Sequence, residues 1–205
     1  MAKVKLTKGE LKKQRDALRQ YQRYLPTLQL KKQQLQVEIL RQTALLSERD
    51  RALQEKKSAA GAWSALLAEA PQATFKGLSR RTTVRGTRNI AGVDIPEFVR
   101  VEFEAITYDL FTTPLWVDHA IEALKTIIAL REERAILQHG VDALRTELHV
   151  TAQRVNLFEK VKIPEAEEDI RLIKIYIGDQ MANAVGRSKM AKRKIEEYAR
   201  MEQMA

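Results

Sequence analysis

The sequence contains no cysteine and few glycine, proline or aromatic residues, and each of these scarcities narrows the class of protein. Without cysteine, neither disulfides nor thiolate metal sites can support the fold. The 205 residues include only eight glycines and five prolines, which supply few turns for a sheet-rich globule. Aromatic residues make up 6% of the chain and charged residues 31%. The composition therefore favours long helices, with a compact helical bundle as the alternative.

Long apolar runs are also missing. None approaches the roughly 20 residues that span a bilayer, and the basic first residues lack the apolar core of a secretory signal. We therefore expect no direct membrane insertion and membrane association only through partners. The absence of cysteine is compatible with a reducing cytoplasm.

Motifs for catalysis and ligand binding are missing as well. The three histidines, His119, His139 and His149, form no HExxH pattern, and there is no GxSxG. Residues 186–189 contain Gly, Ser and Lys, but not in the order of a phosphate loop. The acidic run 165–169 is interpreted as the start of a helix, because carboxylates in the first turn interact favourably with the helix dipole. A metal site is the weaker alternative. We expect a non-enzymatic chain without cofactor or metal.

The first third of the chain carries an apolar residue at almost every seventh position, interrupted by Lys32. A narrow apolar seam on a charged helix predicts one strand of a coiled coil. Thr7 followed by Glu10 predicts a capping box at the helix start. The seam residues are Leu11, Leu18, Leu25, Ile39, Leu46 and Leu53.

The last stretch of the chain, from about residue 115, repeats this pattern. After one step of seven, its seam advances by threes and fours and comprises Leu130, Leu137, Val141, Leu144, Leu148, Thr151, Val155 and Phe158. It resumes in a new phase at Ile170, Ile173, Ile177, Met181 and Ala184. Each helix has one apolar stripe and must therefore pair with the other.

Two prolines interrupt these helices. Pro26 costs roughly 3 kcal/mol in a helix interior, yet the heptad phase is the same on both sides of it. We interpret Pro26 as a kink, the alternative being a break at which it opens a second helix. Pro164 coincides with the phase shift, which predicts a kink or local unwinding.

The middle of the chain has a different pattern. Residues 98–104 are rich in β-branched and aromatic residues, with apolar and charged positions alternating from Val99 to Glu104, and Thr82–Val84 could be a partner strand. The predicted organisation is a helix over 1–70, a small head with a β-hairpin over 71–114, and a helix over 115–205. The fold class is mainly α, a long antiparallel two-helix coiled coil with this hairpin between its helices.

Basic residues concentrate near both ends of a chain whose formal net charge is +9. Antiparallel pairing of the two helices would place Thr7–Leu25 beside Arg187–Met204 and make one tip of the coiled coil strongly positive. A solvated surface, a nucleic-acid contact and a protein partner all fit such a tip. The candidate partner-binding residues are Lys12, Lys13, Arg15, Arg187, Lys189, Lys192, Arg193 and Lys194.

Several stretches resemble a known family. They are KLTKGELKKQRDAL at 5–18, LPTLQLKK at 25–32, GVDIP at 92–96, RVNLFEKVKIP at 154–164, GDQ at 178–180 and VGRSKMAKRK at 185–194. Together they resemble the D subunits of the V-type rotary ATPases and ATP synthases, especially bacterial members, and the similarity extends over essentially the whole chain.

The resemblance implies a non-catalytic central-stalk rotor that transmits torque between the catalytic hexamer and the ion-translocating ring. It implies A and B subunits, the F subunit and a stalk-to-ring coupling subunit as partners, and a cytoplasmic location peripheral to the membrane. The tip would enter the hexamer. One alternative is the stalk of a type III secretion export ATPase. This alternative is disfavoured because such stalks usually lack a strand-bearing head. The other is a basic coiled-coil nucleic-acid binder, which would need a dimerising zipper beyond its basic region.

Overall fold

A computed structural model describes residues 4–68, 75–106, 108 and 113–204. Its elements are helix α1 (Lys8–Gly61), a 3-10 turn (Ser64–Ala68), helix α2 (Lys76–Ser79), strands β1 (Arg81–Ile90) and β2 (Val93–Phe103), helix α3 (Trp116–Leu157), a π-helical turn (Phe158–Lys162) and helix α4 (Ile163–Met204). The predicted mainly-α fold with a small β-hairpin is confirmed. The chain forms two compact units, Leu30–Ala152 and the combination of Met1–Gln29 with Gln153–Ala205.

Helix α1 begins at a side-chain cap and continues through its proline. The Glu10 N–H donates to Thr7 Oγ1 at 3.3 Å, whereas the Glu10 carboxylate accepts a hydrogen bond from Gln14 Nε2 at 3.1 Å. One half of the predicted capping box is therefore present. Pro26 lies inside the helix, so the alternative in which it opens a second helix is wrong.

In the unit Leu30–Ala152, α1 and α3 run antiparallel with the hairpin packed on both. The fully buried Leu35 of α1 and Leu144 of α3 share a core with Ile95 of β2. Gly140 of α3 lies beneath the hairpin, and a Cβ there would make an ordinary van der Waals contact with the Ile95 Cβ at 3.8 Å. The hairpin thus covers the same stretch of seam that joins the two helices.

A second core in this unit lies near the start of α3. Val117 and Ile121 of α3 pack with Leu78 of α2. Trp63 and Trp116, which flank the hairpin region in the sequence, line one pocket of about 250 Å³. These contacts join the short elements to the long helix.

The hairpin is longer than its sequence pattern predicted. Strands β1 and β2 pair antiparallel from Arg81 opposite Phe103 to Ile90 opposite Val93, and Gly86 lies within β1 rather than at the turn. The turn is Ala91–Gly92, whose φ angles of 52° and 79° are those of a tight hairpin turn and favour glycine at the second position.

The other unit pairs the beginning of α1 with the region after Gln153. The rings of Tyr21 and Phe158 lie 5.3 Å apart between centroids. Val155, Ala166 and Ile173 of this unit are buried. The pairing is antiparallel, because Glu10, earlier than Tyr21, acts electrostatically on Asp169, later than Phe158.

A π-helical turn separates α3 from α4 and accounts for the phase shift at Pro164. The Ile163 N–H donates to the Phe158 carbonyl, a step of five residues rather than four. Such a turn inserts one residue into a helix. Thr151 and Phe158 are seven residues apart, and continued heptads would place buried positions at 165 and 172, whereas Ala166 and Ile173 are buried. Each buried position thus falls one residue later.

Most predicted seam positions face inward, and two do not. Val141, Leu144, Val155 and Leu53 are buried, and Leu11, Leu18, Leu25, Ile39, Leu46, Leu137, Leu148 and Phe158 are half-buried. Met181 and Ala184 are exposed, because no residue of the described part of α1 extends far enough to cover them. The seam between the paired helices ends near Ile177.

Candidate functional site

The part of α4 beyond the paired region is a helix without cover from the rest of the described chain. Every residue from Gly178 to Met201 is exposed. We call this segment, 178–204, the tail. Its large apolar side chains are Met181, Val185, Met190, Ile195, Tyr198 and Met201, which are between 55% and 69% exposed.

The apolar residues of the tail continue the seam of α4. Ile177, Met181, Ala184, Ala191, Ile195 and Tyr198 follow the spacing of threes and fours, with Ser188 as the one polar position between them. A stripe of this kind is the surface by which a helix packs against another apolar surface. The described chain leaves it open to solvent, so it is available to a partner.

The same segment is strongly basic. Residues 187–200 contain six basic side chains, including Arg187, Lys189 and Lys194, against two acidic ones. The acidic side chains form weak pairs within the helix, Lys192 with Glu196 at 3.9 Å and Arg193 with Glu197 at 3.5 Å. The tail therefore combines an apolar stripe with a positive charge.

The prediction that the two basic ends lie side by side is wrong. Asp169 lies near Glu10, so the start of α1 is level with the first part of α4. Lys189 is 20 residues beyond Asp169, which corresponds to about 30 Å along a helix. Lys12, Lys13 and Arg15 are exposed on the paired region instead. The tail extends past them because α4 continues for more residues than α1 has before Glu10.

Carboxylates gather where the first turns of α1 meet α4. Burial raises the pKa of Asp169, and repulsion from Glu165, Glu10 and Glu168 raises it further. The exposed Glu165 accepts a hydrogen bond from Lys162 Nζ at 3.0 Å, and this bond raises the pKa of Lys162. The acidic run thus contributes local ion pairs at the start of α4.

A second exposed apolar surface lies on α1 in the unit Leu30–Ala152, on the face opposite the seam. Leu30, Val37 and Leu40 are 54%, 66% and 72% exposed. Val37 and Leu40 line an open groove of about 680 Å³, to which Leu148 of α3 also contributes. We call Leu30, Gln33, Val37, Leu40 and Ala44 the outer stripe, since their spacing alternates between three and four residues.

Across the described ranges, no three His, Asp or Glu side chains are close enough together to hold a metal ion. Within the same ranges, no helix combines the length and the apolar character required to cross a bilayer.

Comparison with known proteins gives the family. The family model described as that of the ATP synthase D subunit matches residues 10–193. The chain belongs to this family. The match to the family of D subunits spans both long helical regions, the hairpin and about half of the tail.

Curated relatives of this family align with nearly the whole chain. The D subunit of the V-type ATP synthase of Borreliella burgdorferi is 47% identical over 193 residues, which cover 94% of this chain and 95% of the relative. The D subunit of the Chlamydia muridarum enzyme is 32% identical over 199 residues, covering 96% and 98%. That of Chlamydia pneumoniae is 33% identical over 196 residues, covering 94% and 93%.

Sequence reasoning identified the basic residues of the tail but missed the outer stripe. The signal for this stripe was present, because Leu30, Val37 and Leu40 follow heptad spacing on the face opposite Leu35. It was obscured by the stronger seam of the same helix. A helix with two opposed apolar stripes has a second packing surface in addition to its partner within the chain.

Proposed function

We propose that the chain is the central-stalk rotor subunit of a V-type rotary ATPase or ATP synthase, and that it transmits torque between the A/B catalytic hexamer and the ion-translocating membrane ring. The proposal combines membership of the family of ATP synthase D subunits with one structural observation. That observation is the tail, a basic helix with an uncovered apolar stripe.

The tail supports insertion into the cavity of the catalytic hexamer. Its apolar stripe would contact an apolar inner wall, and its basic side chains would face the acidic and polar groups of that wall. Individual exposed ion pairs contribute only about 0–1 kcal/mol, so such contacts can break and re-form as the rotor turns. Coupling requires that the contacts of the rotor differ among the catalytic interfaces at any instant.

The outer stripe supports a second partner contact. Exposed apolar residues with heptad spacing form a surface onto which an amphipathic helix can pack. We assign this surface to the F subunit, while another protein of the complex couples the stalk to the ring. The chain would then be peripheral to the membrane on the cytoplasmic side and would contribute no catalytic residue.

The proposal can be tested by observing rotation directly. Because the sequence lacks cysteine, Thr87→Cys, at an exposed position of β1, would provide a unique attachment point for a bead. With the A/B hexamer fixed to a surface, we expect ATP to drive rotation of the bead in one direction. A bead attached to the hexamer itself is the control. A stationary bead on assemblies that contain this chain and hydrolyse ATP would refute the proposal.

A further inference from the structure

Three ion pairs join α1 to α3 in the unit Leu30–Ala152. Lys31 Nζ lies 2.6 Å from Glu147 Oε1, and Arg49 Nε lies 2.8 Å from Glu133 Oε1. In the third pair α3 supplies the basic residue, Arg134, and α1 supplies the acidic residue, Asp50, which is the reverse of the other two pairs. The pairs are partly shielded, since the side chains of Lys31 and Glu147 are each 29% exposed.

A buried polar residue lies between these pairs. Gln42 occupies the heptad position between Leu35 and Arg49 and is 6% exposed. Its Nε2 donates to Glu38 Oε1 at 2.8 Å, which satisfies the amide within α1. A polar residue at a seam position weakens the apolar packing between two helices, and because the hydrogen bond of Gln42 stays within α1, it leaves the choice of register to the ion pairs.

The two apolar seams by themselves, without the hairpin that packs on both helices, would not determine the register of α1 against α3. Their seam repeats every seven residues, so a slide of one helix by seven positions restores apolar contacts. Such a slide would place Thr126 or Gly140, instead of Glu133, opposite Arg49. It would also place Ile127 or Val141 opposite Asp50 and leave a carboxylate against aliphatic side chains.

We infer that the three cross-helix ion pairs form a register lock, which prevents α1 from sliding along α3 by one heptad. Since partly exposed pairs contribute little net stability, the lock acts mainly by disfavouring the displaced registers. Its importance under load rests on the proposed rotor function. Twisting a two-helix coil changes its supercoil and tends to displace one helix along the other.

The register can be measured by the distance between spin labels at Ser47→Cys and Thr146→Cys. Both native side chains are exposed and donate only to carbonyls of their own helix. The sites are offset along the axes by roughly eleven residues, about 16 Å, so a heptad slide would change this offset by about 10 Å. The native sequence contributes no cysteine that could compete for label.

The test variant carries Lys31→Gln, Arg49→Gln and Asp50→Asn in the full-length chain. We expect one label distance in the parent and an additional distance in this variant, corresponding to the displaced register. Arg171→Gln is the matched control, because the partner of Arg171, Glu168, lies in the same helix. In a second variant, Arg49→Glu with Glu133→Arg, the exchanged pair should retain the parent distance.

A single, unchanged distance in the triple variant would overturn the register lock. If the triple variant fails to fold, two other variants decide. Arg49→Glu alone should show the displaced label distance, and the exchanged pair, Arg49→Glu with Glu133→Arg, should keep the parent distance. Ions pumped per ATP, measured in the reconstituted complex, should fall in the triple variant. A displaced register with unchanged pumping would support the lock and refute its role in torque transmission.

Discussion

Removal of the tail from Arg187 onwards should separate the stability of the chain from its proposed coupling function. The truncated residues with described side chains are all exposed, and the last buried residue of α4, Ile173, remains. The truncation also removes two i,i+4 ion pairs, which are worth about 0.3–0.5 kcal/mol each when exposed but act only within the removed helix. The free energy of unfolding of the remaining chain should change by less than about 0.5 kcal/mol.

The functional effect should be much larger. The truncation removes all the basic residues of the tail and the apolar residues Met190, Ile195, Tyr198 and Met201. In a reconstituted complex the proposed function assigns the nucleotide sites to other subunits, so we expect ATP hydrolysis to continue while the number of ions pumped per ATP decreases. Urea unfolding of the isolated chain and ATP-driven ion uptake into vesicles would measure the two effects.

A buried substitution provides the control for this experiment. Ile173→Ala removes a fully buried side chain and should lower the free energy of unfolding by about 2–5 kcal/mol. The urea assay must detect this loss for the small effect of the truncation to be informative. An unchanged pumping ratio in the truncated complex, or a large loss of stability in the truncated chain, would refute the reasoning.

Three further predictions concern single residues. Leu144→Ala, in the core below the hairpin, should lower the free energy of unfolding by about 2–5 kcal/mol in urea titrations, whereas an equally large side chain, Leu144→Met, should cost less than about 1.5 kcal/mol. Leu40→Asp, on the exposed outer stripe, should leave that free energy almost unchanged but weaken binding of the F subunit, as measured by calorimetry, and equal binding would contradict the assignment of that surface. Asp169→Asn should raise the melting temperature at neutral pH, because the raised pKa of Asp169 means that its charged form is disfavoured in the folded state. This gain in melting temperature should disappear as the pH falls through that pKa and the native carboxyl becomes protonated. A gain independent of pH would show another cause.

The helices and the hairpin could be predicted because their patterns are local. The seam from Leu11 to Leu53 lies within α1, and the alternation that begins at Val99 lies within β2 up to Phe103. The phase shift at Pro164 was also visible. Its physical form, a π turn, was not visible in the sequence pattern; the turn lies just before Pro164, which has no backbone N–H to donate.

The position of the tail could not be predicted in the same way. It depends on which residue of α1 faces which residue of α4, and a repeating apolar seam is compatible with several such registers. The assumption that the two basic ends coincide led to the incorrect juxtaposition of Lys12 and Lys189. The contacts that define this register, such as that of Tyr21 with Phe158, join residues far apart in the sequence and become recognisable only in the folded chain.

The extra residue of the π turn also determines the direction in which the side chains of α4 face around the helix axis. One residue of an α-helix corresponds to a rotation of about 100°, so an insertion or deletion in Phe158–Lys162 that is absorbed within the turn would leave α4 facing the same way. The same change made after Pro164 would rotate every later side chain by about 100°. Chimaeras that exchange the tail between relatives should therefore join the two sequences without altering the number of residues from Ile163 onwards, and the turn itself is the place where a difference in length between relatives can be tolerated.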